Sequence, residues 1–227
     1  MGIIPGAVLF DMDGTLFDSE LATILCWETV VQAGCAKNIR DTLLRCLGIT
    51  EEETRQVFQE VYGPDFPYDA CLRRVRLLRR ERYGGGRMPV KEGARALLTY
   101  FRRQGVPLAV ASSTPTEEAC LELEEGGLLP FFKAVAGGDR VEHGKPAPDV
   151  FLLAAAELGV DPADCWVIED SFNGVRAACA AGMRTVMVPD LMAPDDEMRR
   201  LTAAILPTLT EVRSFFCREN NARRMRI

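Results

Sequence analysis

The run Ala7-Val8-Leu9-Phe10 stops at Asp11-Met12-Asp13-Gly14-Thr15-Leu16, and that junction constrains the fold more than any other feature of the chain. An apolar run this short suits one buried strand, not a helix. Two carboxylates at its end point to the edge where an open α/β sheet places its ligand site. At neutral pH the pair repel each other and favour a bound cation. A calcium loop would need an oxygen ligand at position five, glycine at six and glutamate at twelve. Counted from Asp11, those positions hold Thr15, Leu16 and Ala22, so that reading fails. An Asp-rich turn is the plain alternative for this segment taken alone.

Further apolar runs predict strands at Leu108–Ala111, Ala134–Ala136, Trp166–Glu169 and Thr185–Val188. Helical patterns separate them, the signature of βαβ units and a parallel sheet. One helix is expected from Pro148 to Leu158, with prolines at its start and Gly159 closing it. Others are expected at Asn173–Ala181, stopped by Gly182, and at Val90–Gln104, stopped by Gly105 and Pro107. The span between the first two strands far exceeds the dozen or so residues that a crossover needs. Its excess, residues 17–88, shows helical periodicity broken by Gly48, Gly63-Pro64 and Gly84-Gly85-Gly86. An inserted all-helical unit is expected there, hinged near Phe17 and near those last glycines. The core then comprises residues 1–16 and 89–215, and the basic, polar stretch 216–227 reads as a flexible tail.

With 48% apolar residues in 227, the chain can bury a sizeable core. The net charge of −6 argues against nucleic acid, and no apolar stretch is long enough to span a membrane. A cytoplasmic monomer without a leader segment is expected. The eight cysteines are scattered without a C-x-x-C pair, so packed, reduced thiols are expected, Cys120 and Cys179 among them. His143 is the sole histidine and reads as a loop residue, which makes a Ser-His-Asp triad improbable.

Chemistry-bearing residues follow each strand in turn: Asp11 and Asp13, then Ser112-Ser113-Thr114, then Gly144-Lys145-Pro146, then Glu169-Asp170. In a parallel sheet these gather on one edge. Together they offer carboxylates for a divalent cation, an ammonium and hydroxyls for phosphate oxygens, and a carboxylate free to attack. Singly, each has a bland reading. Ser112 or Thr114 can cap a helix, Lys145 can be a solvated loop lysine, and Glu169-Asp170 can belong to a turn. Their joint recurrence after successive strands is what carries the functional reading.

The segments DMDGTLFDSE (Asp11–Glu20), VASST (Val110–Thr114), GGDRVEHGKPAPDVF (Gly137–Phe151) and VIEDSFNGVRAACAAGM (Val167–Met183) resemble the haloacid dehalogenase superfamily of phosphohydrolases. Within it, the chain is similar to the subgroup of β-phosphoglucomutase and small sugar-phosphate phosphatases. The resemblance implies an α/β, Rossmann-like parallel-sheet core with an inserted all-helical cap. It further implies that Asp11 is the nucleophile, forming an aspartyl-phosphate, and that Asp13 is the general acid/base. Ser112, Ser113 and Lys145 would hold the phosphoryl group. Mg²⁺ would be held by Asp11, the Asp13 carbonyl and Asp170, with Glu169 assisting. An anionic carboxylate can attack a phosphate dianion only if the cation and Lys145 offset their repulsion.

Which reaction follows depends on smaller features. Dehalogenases of the superfamily lack the second aspartate, so Asp13 points to phosphoryl transfer. Phosphonatases use a cap lysine, for which Lys37 is a poor candidate. The mutase carries a cap histidine that gates the acid/base, and Thr23 stands at that position here, which favours a phosphatase. The arginine-rich stretch Arg73–Arg82 is either a solvated helix face or the source of a substrate contact, with Arg74 or Arg76 indicated by spacing. It lacks the interleaved aromatics of a nucleic-acid surface. A silent binding module is the non-enzymatic alternative, but such a module usually loses one of Asp11, Asp13, Lys145 or Asp170. The expectation is a Mg²⁺-dependent phosphatase of a small phosphorylated metabolite such as a sugar phosphate.

Overall fold

The computed structural model describes residues 5–31, 37–47 and 49–224, with side chains through Arg218. Gly48 and Cys35 lie outside the described residues. A six-stranded sheet forms from β1 (Ala7–Phe10), β2 (Leu108–Ala111), β3 (Ala134–Ala136), β4 (Cys165–Glu169), β5 (Arg184–Met187) and β6 (Ala204–Ile205). Its order is β3-β2-β1-β4-β5-β6 and every pairing is parallel. The chain moves outward on one side of β1 and then returns to build the other side. That makes the end of β1 the topological switch point, where open α/β sheets bind ligands. The β6 strand has only two residues, both half-buried, and gives no sequence signal.

Between β1 and β2 the chain forms α1 (Ser19–Val31), α2 (Ile39–Arg45), α3 (Glu51–Tyr62), α4 (Tyr68–Tyr83) and α5 (Ala94–Arg103). The first four share their own apolar centre, in which Trp27 stacks on Tyr68 at 5.7 Å and Phe58 and Val75 are buried. The chain leaves and rejoins the sheet layer side by side. Asp18 N–H donates to the Pro89 carbonyl at 2.9 Å, and Lys91 N–H to that of Leu16 at 2.9 Å. Lys91 also bridges Asp18 and Asp190. The helix predicted from Val90 therefore begins later, at Ala94, because Val90 pairs with Phe17 and Gly93 takes a left-handed conformation.

The remaining helices are α6 (Thr116–Glu125), α7 (Asp149–Leu158), α8 (Phe172–Ala180), α9 (Asp196–Leu201) and α10 (Leu209–Arg224). Phe151, Ala154 and Ala155 of α7 and Ala177 and Ala178 of α8 pack on one face of the sheet. Leu97, Leu98 and Phe101 of α5 pack on the other, with Val212 and Phe216 of α10. The tail expected from residue 216 is corrected here. It continues α10 as far as Arg224, and Phe216 is buried against Phe101 and Trp166 at 5.0 and 5.1 Å. Arg213 and Arg218 are exposed on the outer face of that helix. Cys26 and Cys165 are buried thiols, but Cys179 is exposed, contrary to its expected packing. Among the described residues no helix is long and apolar enough to cross a membrane.

Candidate active site

The sheet's last hydrogen bonds hold the chemistry. Asp11 N–H donates to the Ile168 carbonyl at 3.0 Å, and Ser112 N–H to that of Ala136 at 3.0 Å. Side chains distant in sequence thereby meet at one edge. Lys145, only 2% exposed, places its ammonium 2.5 Å from Asp11 Oδ1 and 2.8 Å from Glu169 Oε1. Its Nζ also lies 4.9 Å from the centre of the Phe151 ring. Glu169 is wholly buried, and its other oxygen accepts the Ser171 N–H at 2.6 Å. Asp170 accepts the Thr15 hydroxyl at 2.8 Å.

Asp13 is held differently. Its Oδ1 accepts the Ser19 hydroxyl at 2.6 Å, and its Oδ2 accepts those of Thr114 at 2.8 Å and Ser112 at 3.4 Å. It is partly open to a cavity of about 540 Å³ that Asp11, Ser112, Ser113, Thr114 and Lys145 also line. The cavity's other wall comes from α1 to α4 and includes Thr23. His143 is exposed and pairs with Asp149 on the surface, as a loop residue should. Lys37 is exposed and does not line the cavity.

The arginine expectation needs correction. Arg74 is exposed and lines no part of this cavity. Arg76 reaches the rim, where it bonds Glu51 at 2.6 Å. The arginine that reaches the chemistry is Arg79, 3.9 Å from Asp13 Oδ1 and bonded to both Glu122 oxygens of α6 at 2.9 and 2.8 Å. It shares a helix face with the buried Val75, so the packing that hides Val75 turns Arg79 toward the sheet edge.

Glu20, Ser19 and Thr15 also escaped sequence reasoning, although all three sit within the DMDGTLFDSE segment. Only the rotation of α1 shows that Ser19 faces Asp13 and that Glu20 lines the cavity.

The site is short of positive charge. Burial pushes Asp11 up to about 8, opposed by Lys145 and reinforced by Glu169 and Asp13. Burial likewise raises Asp170 well above the usual carboxylate range, with Glu169, Asp11 and Glu20 adding repulsion. Glu20 is pushed up to about 8 by burial and by Asp13, Asp11 and Asp190. The Lys145 ammonium rises because Asp11 and Glu169 outweigh its desolvation.

Two consequences are measurable. The folded chain holds a proton on Glu20 up to about pH 8 that the unfolded chain releases near 4.5, so native stability falls as pH rises through that window. Glu20→Gln should therefore be more stable than the parent at pH 8 and near parity at pH 4, in thermal melts with chelator. The expected gain is on the order of 1 kcal/mol, since partial exposure discounts the full shift. Separately, a Cβ at Gly174 would fall inside the van der Waals shell of the Glu169 carboxylate. Gly174→Ala should destabilise the fold by about 2–4 kcal/mol and depress turnover by displacing the Lys145 partner, read by denaturant melts and phosphate release.

Fold and site together define a hydrolase built on a parallel sheet, with an aspartate at the tip of its central strand. The chain belongs to the haloacid dehalogenase-like hydrolase family, whose model matches residues 8–188. It is 31% identical to a phosphorylated carbohydrates phosphatase of Thermotoga maritima over 180 residues, covering 79% of this chain and 83% of that one. It is 32% identical to hexitol phosphatase B of Escherichia coli over 213 residues, covering 91% and 93%. Among solved structures, it is similar to CbbY from Rhodobacter sphaeroides in complex with phosphate, at TM-score 0.77 and 25% identity, covering 92% and 96%.

Proposed function

We propose that this chain is a Mg²⁺-dependent phosphatase that hydrolyses monoesters of small phosphorylated metabolites, sugar phosphates among them, through an aspartyl-phosphate. The observation that carries this reading is the Asp11–Lys145–Glu169 array, a buried ion triad set beside a half-exposed Asp13 at the sheet's switch point. Relatives that act on phosphorylated carbohydrates and hexitol phosphates support the substrate class.

Asp11 is the nucleophile, since its buried carboxylate lines the cavity and Lys145 fixes its orientation. The same ammonium neutralises charge on the incoming phosphoryl oxygens, which a lone carboxylate would repel. Ser112 and Ser113 line the phosphoryl end and supply further donors. Asp13 gives a proton to the departing alkoxide oxygen and later takes one from water. Its hydroxyl partners, Ser19 and Thr114, hold the carboxyl in place through both steps.

The residues fit a magnesium ion. Among the described residues no three His, Cys, Asp or Glu side chains gather closely enough to hold a metal alone. Magnesium does not require this, since it uses one or two carboxylates and completes its shell with water and phosphate. Asp11, Asp170 and the Asp13 carbonyl would hold it, and the excess of buried carboxylate is the charge it would balance. Glu169 is left out of that set because both its oxygens are engaged, one of them by the lysine. When bound, the ion would supply Lewis-acid stabilisation of charge on phosphate.

The test is a panel of phosphorylated metabolites, followed by phosphate release with Mg²⁺ and with EDTA. Release from at least one monoester, lost by on the order of 100-fold with EDTA and restored by Mg²⁺, is expected. Conversion of β-glucose 1-phosphate to its 6-isomer without phosphate release would transfer the assignment to a mutase.

A further inference from the structure

A groove of about 830 Å³ runs between α5 and α10, the helices that cover the sheet opposite α7 and α8. It shares no lining residue with the catalytic cavity. Arg95 and Arg103 line it from α5, and Arg213 and Arg218 from α10. All four are exposed, and among the described residues no carboxylate lines the groove. Glu92 and Glu211, acids close by in sequence, stand outside its lining. Among the described residues, Arg103, Arg213 and Arg218 have no side-chain partner. Arg95 donates to the Gly127 carbonyl at 3.1 Å and to that of Gly126, neutral acceptors that leave its charge unbalanced. Arg95, Thr99 and Arg103 recur at four-residue intervals, so they share one face of α5 over about 12 Å.

We infer that the groove between α5 and α10 is a second anion site, separate from the catalytic cavity, and that it takes a small oligophosphate. Inorganic tripolyphosphate and the phosphate tail of a nucleotide share that chemistry. In a chain of net charge −6, four arginines gathered without a counter-ion reverse the local field. They repel one another, and a polyanion laid along the groove turns that repulsion into attraction. Guanidinium forks pair bidentately with phosphate oxygens, which suits a chain of linked phosphates better than a single one. Thr99 and Gln104 add neutral donors on the same wall. The volume falls in the range of small-molecule pockets. A nucleic acid is disfavoured by the acidity of the whole chain and by a stripe that spans only a few phosphates.

Calorimetric titration of tripolyphosphate, ATP and orthophosphate into Asp11→Asn protein, in EDTA and about 0.1 M salt, tests this. Binding is read without turnover, so the result stands whatever the chain hydrolyses. Tripolyphosphate or ATP should bind with Kd below about 100 μM, and orthophosphate at least about tenfold more weakly. Tighter binding of ATP assigns the groove to nucleotides, and tighter binding of tripolyphosphate assigns it to the inorganic chain. Adding Arg103→Gln/Arg213→Gln should weaken oligophosphate binding by about tenfold or more. Both side chains are exposed, so the melting temperature should stay near that of the parent. The same pair placed in the Asp11 protein should leave phosphate release unchanged. Oligophosphate binding undiminished by the pair would place the ligand in the catalytic cavity and overturn the inference. Kd values above about 1 mM for both oligophosphates, or tighter binding of a single-stranded oligonucleotide, overturn it as well.

Discussion

Asp11→Asn should lower phosphate release by more than about 10³-fold while leaving substrate affinity and fold in place. The amide is nearly the same size as the carboxylate and has no anionic oxygen to attack phosphorus. Lys145 keeps its second partner, Glu169, at 2.8 Å, so the ammonium does not become an orphan. The loss should fall on kcat, because the groups that seat the phosphoryl end remain. Stability supplies an independent check. In the parent, Asp11 holds its proton up to about 8 in the ion-free fold against 3.8 as the ordinary value. Folding therefore takes up a proton between those values, and stability declines as pH rises across them. The variant lacks this titration, so its melting temperature should fall less between pH 5 and 8 in EDTA. Acid-stable labelling of the protein by ³²P-substrate should disappear with the variant. Retention of a tenth or more of the parent rate would remove Asp11 from the role of nucleophile.

The parallel sheet explains why so much of the site could be read from the chain. Once short apolar runs alternate with helices, the residue after each run is bound for one common edge. Asp11, Ser112 and Glu169-Asp170 were located by that rule alone, and Lys145 by its place in the loop after β3. The insertion was legible for a similar reason, since no crossover requires the residues between Phe17 and Met88. What the pattern could not give was rotation and burial. Arg73, Arg74, Arg76, Arg79 and Arg80 share one helix, and their ranking depends on how Val75 is buried in the cluster that also holds Trp27 and Tyr68. The choice of Arg74 failed for that reason. Glu20 looks like an ordinary first-turn acid until α1 is docked over Asp13. A tail from residue 216 is ruled out by Phe216, whose burial on α10 the polar composition around it does not reveal.

Lys145→Met should cost the fold about 3–5 kcal/mol at pH 8, a drop in melting temperature of about 10 °C, besides abolishing turnover. The methionine fills similar volume, so packing against Phe151 survives and the loss is electrostatic. Without the ammonium, Asp11 and the wholly buried Glu169 face each other with no cation between them. Lys145 no longer opposes the burial of Asp11, whose affinity for protons rises further, so the folded variant binds a proton that the unfolded chain does not hold above about pH 4. Its deficit should consequently be small near pH 4 and grow as pH rises through the raised values. At the alkaline end the parent also loses stability as pH rises, there through the lysine. Its Lys145 is raised above 10.5, so the stabilisation from that charge is complete below the ordinary lysine value and lost only beyond it. Chemical denaturation of both proteins in EDTA at pH 4.5, 6 and 8 reads this directly. Added Mg²⁺ should recover part of the deficit at pH 8, because a dication near Asp11 and Asp170 relieves the same crowding of carboxylates. A variant as stable as the parent at pH 8 would mean that the triad does not organise the site. The nucleophile would then lack the fixed orientation on which in-line attack at phosphorus depends.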